Sequence, residues 1–269
     1  MTELISYAYA VARDADGSLE AELSGLPGVA DAPVRLVRTG DDADVVVAVS
    51  AVPAADFDEQ ALRAHLEDLD WLEVVARAHH RVIEALAARS TVLPLRLATV
   101  YVDDESVRLM LADRRRAFAD RLTELAAQTE WGVKIYVEAA APEAPEEPSA
   151  EDVSPGRAYL SRRRAQRHAR QDAYRHAEEA ARRVEDTART YAVDQVRHRA
   201  QQGELAQGPG ENVVNDAYLV PQQDAEDFRT DVLRAGEGFP GVRVEVTGPW
   251  APYSFAVPAE AEPVRRAAP

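Results

Sequence analysis

Gly236, Gly238 and Gly241 spell GxGxxG, the spacing at which a glycine-rich turn can bring backbone amides up to a pyrophosphate. That chemistry needs a strand before the glycines and a helix after them, whereas here a helical stretch precedes and a β-branched stretch follows. The three glycines therefore read as a helix-ending loop. His79 and His80 are adjacent, so on a helix their side chains diverge by about 100° and cannot share a metal as a pair four residues apart can. His79 falls on an apolar stripe, which predicts a half-buried histidine whose hydrogen bond locks the following strand. Asp103, Asp104 and Glu105 could supply an acid/base carboxylate pair, but they open a helical stretch, where negative charge is favoured without any catalytic role. Arg157, Arg162, Arg163, Arg164, Arg167, Arg170 and Arg175 form a basic cluster of opposite sign to the rest of the chain. It could bind RNA, an acidic protein face, or the nearby Glu143, Glu146, Glu147 and Glu151. An RNP-type aromatic platform, on which an RNA-binding sheet would stack bases, is missing from the strand pattern at 213–220.

Bulk composition narrows these options. With 269 residues and 46% hydrophobic positions, the chain can build two ordinary cores. Its formal charge of -16 opposes general attraction to nucleic acid or anionic lipid, so protein or small-molecule partners are expected. The absence of cysteine excludes disulfides, thiolate metal sites and a cysteine nucleophile together. Glu3 stands where a secretory signal would carry positive charge, and the longest apolar run, 45–55, is broken by Ser50 and Pro53. A cytoplasmic protein with no membrane span is the expectation.

The elements that must position any site follow from periodicity. Residues 4–12 read as a first strand, and 34–38 with 45–52 as a hairpin around Thr39, Gly40, Asp41 and Asp42. Asp56 and Asp70 are expected as helix N-caps, with Glu73 completing a capping box. Leu72, Val75, Val82 and Leu86 then repeat as one helical face. Residues 93–102 predict a strand, and a helix follows to about Gln128. After a short strand at 131–138, the stretch 139–152 carries Pro142, Pro145 and Pro148 among alanines and glutamates, the composition of a flexible tether. Residues 156–202 contain no internal glycine or proline and predict one long helix, on the order of 65 to 70 Å at 1.5 Å per residue. A strand at 213–220, a helix at 223–235 and a strand at 242–247 complete a pattern resembling a ferredoxin-like unit with one strand missing or displaced. The expected class is α+β, with an N-terminal α/β domain over 1–128, a C-terminal ferredoxin-like domain over 129–258 and a disordered tail at 259–269.

Three segments are more particular than a generic core requires. LPLRLATVY, 93–101, sets Pro94 at a strand start and Arg96 among apolar neighbours, which predicts a paired, partly buried guanidinium. EWGVKIY, 130–136, holds Trp131, Gly132 and Lys134, the last being the only lysine among 31 lysines and arginines. TGPWAPYSF, 247–255, packs Pro249 and Pro252 beside Trp250, Tyr253 and Phe255, so that proline-stiffened backbone displays aromatics at low entropic cost.

In this order and spacing the three segments resemble the gas vesicle protein F/L family, over nearly the whole chain. Leu93, Pro94, Leu95, Arg96 and Thr99 fit its first motif, preceded by a histidine that His79 matches, while Leu97 and Ala98 stand where the family usually has Phe and Gly. Trp131, Gly132, Val133 and Lys134 fit the second motif. Gly248, Pro249, Trp250, Pro252, Tyr253, Ser254 and Phe255 fit the third, the most specific. The resemblance implies a non-enzymatic accessory or minor structural protein that needs no cofactor or metal. It implies binding to the small hydrophobic shell protein, support of gas vesicle nucleation and assembly, and protection of that client from aggregation. An RNA-binding module built on the arginine-rich helix and a small-molecule enzyme are the alternatives.

Overall fold

The computed structural model describes residues 3–40, 44–65, 67–138, 155–200 and 210–256, with backbone alone over 155–162. The expected tether at 139–152 and tail at 259–269 lie outside the described residues. The chain packs as two compact units, one of residues 1–128 with the described part of 250–269, the other of residues 129–249.

In the first unit the elements are β1 (Leu4–Arg13), α1 (Leu19–Glu22), β2 (Arg35–Val37), β3 (Val45–Pro53), α2 (Ala54–Phe57), α3 (Glu59–His65), α4 (Leu69–Ala87), β4 (Val92–Pro94), β5 (Val100–Tyr101) and α5 (Asp104–Glu124). The sheet runs β2-β3-β1-β4, with β5 also pairing β1. The β2–β3 pairing is antiparallel, as the hairpin pattern predicts, with Arg35 opposite Val49. In β1 the register against β3 slips between Ala8, opposite Val49, and Ala10, opposite Ala48, leaving Tyr9 as a bulge. The bulge changes which side chains point inward, so that Tyr7, Tyr9, Ala10 and Ala12 all join one core with Val75, Val82, Ile83 and Leu86 of α4. From the other parity, Ser6 donates to Asp104 (2.6 Å), and Arg13 donates to the Ala119 carbonyl (3.1 Å) and to Thr123 (3.0 Å), tying β1 to α5. Arg35 grips the same Asp104 carboxylate through Nε (3.2 Å) and Nη2 (2.6 Å).

The expected single strand at 93–102 is instead two short strands. β4 pairs with β1 through Pro94 opposite Ala10, β5 through Val100 opposite Tyr7, and residues 95–99 turn between them. The turn faces the β1 bulge and passes through Ala98 at φ 61°, a left-handed conformation that no strand can contain.

In the second unit β6 (Gln128–Val137), α6 (Pro155–Ala188), β7 (Asp194–Arg197), β8 (Glu211–Pro221), α7 (Ala225–Ala235) and β9 (Val242–Trp250) follow in chain order. The sheet order is β7-β8-β6-β9. Every second residue of β6, Trp131, Val133, Ile135 and Val137, packs with Ala173, Ala177, Val184 and Ala188 of α6 and Phe228 and Val232 of α7. The alanine stripe lets α6 lie close to the sheet. α6 is about 50 Å long and stops at Ala188, well short of the expected residue 202. Tyr191 donates to Asp231 of α7 (2.5 Å), the Val193 amide donates to the Leu219 carbonyl (2.9 Å), and the chain is drawn onto the edge of β8 as β7. Tertiary pairing there overrides a sequence free of helix breakers.

Two expected caps sit elsewhere. Asp68, not Asp70, accepts from the amides of Asp70 (3.1 Å) and Trp71 (3.2 Å) at the start of α4, while Glu73 pairs with Arg77. Asp58, not Asp56, serves α3 by accepting from the Ala61 amide (2.8 Å). Asp68→Ala should therefore lower unfolding stability by about 1 kcal/mol, and Asp70→Ala, which removes only a charge near the helix start, by less; denaturant melts of both variants check the order.

Candidate functional site

The first motif centres on a buried polar chain. Tyr7 hydroxyl donates to His79 Nδ1 (3.0 Å) and accepts from the Ala98 amide (3.0 Å). With Nδ1 accepting, the His79 proton sits on Nε2 and is donated to the Leu95 carbonyl (3.2 Å). His79 is satisfied, as its place on the apolar stripe predicts, but it is buried instead of half-buried and holds the turn that follows β4. Burial drives its pKa down to about 4 and pushes the Tyr7 phenol up. Tyr9 extends the polar layer, donating to Ser50 (2.8 Å) and accepting from the Val29 amide (2.8 Å).

Pro94 is buried at the end of β4, and Thr99 closes the turn by donating both its amide (3.1 Å) and its hydroxyl (2.6 Å) to the Arg96 carbonyl. The Arg96 side chain, expected to be buried and paired, is exposed and has no ion pair or side-chain hydrogen bond among the described residues. The residue is kept at the tip of the turn by its backbone, which leaves the guanidinium directed at solvent. Ala98 occupies the left-handed position where the resemblance puts a glycine, the residue that adopts such a φ without steric cost.

The second and third motifs divide into packing and display. Trp131 is buried and donates its indole N–H to Thr129 (3.2 Å). Gly248, at φ 137°, passes so close that a Cβ would lie 2.9 Å from the Glu130 carbonyl and 3.0 Å from the Trp131 ring. A Cβ on Gly132 would lie 2.8 Å from Thr247 Oγ1. Lys134 is half-buried and partnered. The Gly248–Pro249 peptide bond is cis, and Pro249 is exposed. Beyond it, Pro252 and Phe255 are buried, and the Phe255 carbonyl accepts from Arg121 Nε (2.9 Å) and Nη2 (2.7 Å). Trp250 and Tyr253 remain 39% and 38% exposed. Both lie against His80, with ring centroids at 5.7 and 6.0 Å. His80 Nδ1 meets the Tyr253 hydroxyl (2.9 Å), and its Nε2 meets Glu84 (3.1 Å). The two histidines therefore serve different ends, one buried and one on an aromatic surface.

The remaining sequence signals resolve structurally. Gly236 ends α7, and Gly238 and Gly241 follow with positive φ in the loop to β9. Asp103 caps α5 by accepting from the Ser106 amide (2.8 Å), and Asp104 holds Arg35. In the basic cluster, Arg170 meets Glu211 and Tyr174, Arg175 meets Asp172, and Arg163, Arg164 and Arg167 are exposed; the side chains of Arg157 and Arg162 lie outside the described residues. No group of three or more histidines and carboxylates that could hold a metal occurs among the described residues. No described helix is long and apolar enough to cross a membrane.

Sequence reasoning missed a cavity of about 230 Å³ in the second unit, lined by Val133, Ile135, Glu185, Arg197, Asp216 and Tyr218 among others. Asp216 is only 3% exposed, accepts from Gln195 (3.0 Å) and has Arg197 Nε at 3.4 Å, and burial pushes its carboxyl pKa up. Its register partner, Arg197, lies in the stretch that reads as helix, so no pattern brought the two together.

His79 gives a signed pH dependence. Its folded pKa near 4 lies below the ordinary 6.5, so between those values the unfolded chain binds a proton that the folded chain refuses. Stability contributed by the neutral ring is present above pH 6.5, falls as pH drops through this window, and is lost below about 4, on the order of 3 kcal/mol in all. A His79→Gln variant should be less stable at neutral pH and show a shallower decline from pH 7 to 4, checked by chemical denaturation across that range. Arg96→Ala, by contrast, should melt within about 0.5 kcal/mol of the parent, as an unpartnered surface side chain does; a large loss would reveal a partner.

A family model described as gas vesicle synthesis protein GvpL/GvpF matches residues 5–257. The chain is 46% identical over 261 residues to gas vesicle protein L of Streptomyces sp. (strain CB03234), covering 96% of this chain and 95% of that one. It is 26% identical over 260 residues to gas vesicle protein F of the same organism, covering 93% and 98%. The crystal structure of GvpF from Anabaena sp. PCC7120 shares the fold with a TM-score of 0.64 at 19% identity, covering 96% of this chain and 98% of that one. With two motif-bearing units described and the match spanning both, the chain belongs to the GvpL/GvpF family of gas vesicle synthesis proteins.

Proposed function

We propose that this protein is a cytoplasmic accessory or minor structural component of the gas vesicle, which binds the small hydrophobic shell protein, limits its aggregation and supports nucleation of the vesicle. The observation that carries the reading is the half-exposed Trp250–His80–Tyr253 surface. A proline-stiffened segment presents two large aromatics beside a histidine that is itself anchored to Glu84. Such residues dominate binding energies because they bring apolar area and a polar edge at little entropic cost. The formal charge of -16 fits the role, since it keeps a protein that carries an apolar client from self-association. Exposed Arg96 is a second candidate contact, and no substrate turnover or cofactor belongs to this reading.

The two-domain reading, expected over 1–128 and 129–258 with the second ferredoxin-like, is kept as part of the proposal, with residues 250–256 packing in the first unit. The β-α-β-β-α-β order of β6 to β9, with α6 and α7 sharing one core against the sheet, supports it.

Trp250→Ala combined with Tyr253→Ala should leave the melting temperature within a few degrees of the parent, because both rings are already partly in water, and should reduce capture of the co-expressed shell protein at least tenfold. Undiminished capture by the folded double variant would place the interface elsewhere.

A further inference from the structure

β9 is the outermost strand of the second sheet among the described residues, and it is nine residues long. Its sequence alternates Val242, Arg243, Val244, Glu245 and Val246. Val242, Val244 and Val246 pack into the core that α6 and α7 make against the sheet. Arg243 and Glu245 lie on the opposite face, where Arg243 donates to Glu138 (3.0 Å) and Glu245 (3.0 Å) and rests over the Tyr136 ring at 4.1 Å. Both charged side chains keep about a third of their surface in water, 33% and 38%. They are therefore fixed in place yet still open to another partner.

An outer strand presents unpaired backbone donors and acceptors, and natural edges are commonly blunted by lysine, proline or short length. β9 has none of these before Pro249, and β7 at the other edge has only four residues, with Arg197 turned toward Glu185 and Asp216. What β9 has is a pattern that reads the same in both directions. Antiparallel pairing of β9 with β9 of a second copy, centred on Val244, sets Arg243 opposite Glu245 twice and Val242 opposite Val246 twice. Directly opposed residues have Cβ atoms about 4.5–5.5 Å apart, close enough for both ion pairs to form. Slipping the register by two residues sets Arg243 against Arg243, or Glu245 against Glu245, and slipping by one sets the apolar face of one strand against the charged face of the other. Parallel pairing in register would oppose like charges throughout. One antiparallel register alone matches both faces.

We infer that β9 is a self-complementary edge through which two copies of this chain associate, forming a symmetric dimer with one continuous sheet of four strands from each copy. Isologous pairing of this kind satisfies the edge amides and closes on itself, so it ends at two copies and does not grow into a fibre. The charge of -16 on each copy opposes the approach, and near-physiological salt, with a screening length of about 8 Å, relieves that long-range repulsion.

Sedimentation equilibrium of the full chain in 0.15 M salt tests this, a concentration chosen for the screening just given. Between micromolar and submillimolar protein, the parent's mass should rise toward twice the monomer value. Arg243→Glu and Glu245→Arg should each associate at least tenfold more weakly, since each opposes like charges at both positions. An equimolar mixture of the two should associate like the parent, because each then carries the charge the other needs. The double variant Arg243→Glu with Glu245→Arg should pair with itself and not with the parent, which keeps the test decisive should a single variant fold poorly. A parent that remains monomeric throughout, or a mixture and a double variant that associate no better than the single variants, would overturn the proposal.

Discussion

The Tyr7 hydroxyl closes a buried chain from the Ala98 amide through the His79 ring to the Leu95 carbonyl, and the first unit is organised around it. A turn that interrupts a strand leaves backbone groups which, once buried, must find partners or cost free energy. Here one tyrosine and one histidine supply both partners from elements far apart in sequence. Tyr7 and Tyr9, two residues apart, face the same core as in any strand, and the bulge at Tyr9 shifts the parity so that Ala10 and Ala12 join that core too. Without it Ala10 and Ala12 would turn to the opposite face, which Ser6 and Arg13 use to reach α5. The network works only with a neutral imidazole, because a proton on Nδ1 would turn an acceptor into a second donor facing the Tyr7 hydroxyl.

Much of this was legible from the residues. The valine-rich strands, the α4 stripe through Val75, Val82 and Leu86, and the glycine loop after α7 follow from periodicity and from where glycine is tolerated. The stripe also shows that His79 must be hydrogen-bonded, because a polar residue on an apolar face has to be satisfied, though not how deeply it is buried. The failures share a cause. Residues 189–200 lack a breaker and read as helix, yet β8 offers an unpaired edge that only the folded sheet creates. Residues 93–102 read as a strand because nothing local announces that Ala98 takes a left-handed φ. Arg96 was expected to be buried from its apolar neighbours, but a turn points consecutive side chains in unrelated directions, so neighbours in sequence say little about environment there.

The third motif shows how one short segment can carry two unlike demands. Gly248 is required by contact, since its backbone lies against Glu130 and Trp131 where a Cβ does not fit. Phe255 is required by packing, with its carbonyl clamped by Arg121. Trp250 and Tyr253 answer to neither demand and stand half in water beside His80. Composition alone could not separate these roles, because proline, glycine and aromatics serve tight packing and surface display equally well.

Arginine, used almost to the exclusion of lysine, follows from the same economy of charge. In an acidic chain each cation can be placed where its shape matters as well as its sign. Arg35 takes the Asp104 carboxylate with two nitrogens, Arg121 takes a single carbonyl with two, and Arg183 and Arg243 lie over the rings of Phe239 and Tyr136. A planar fork can donate two bonds at once or stack on a ring, which a lysine ammonium cannot do in the same geometry. Arginines of this kind join elements. Arg96, Arg163, Arg164 and Arg167 are different, since they are exposed and have no ion pair among the described residues. These four cations therefore link no two elements among the described residues, in contrast to the arginines that fork onto a carboxylate or carbonyl or lie over a ring.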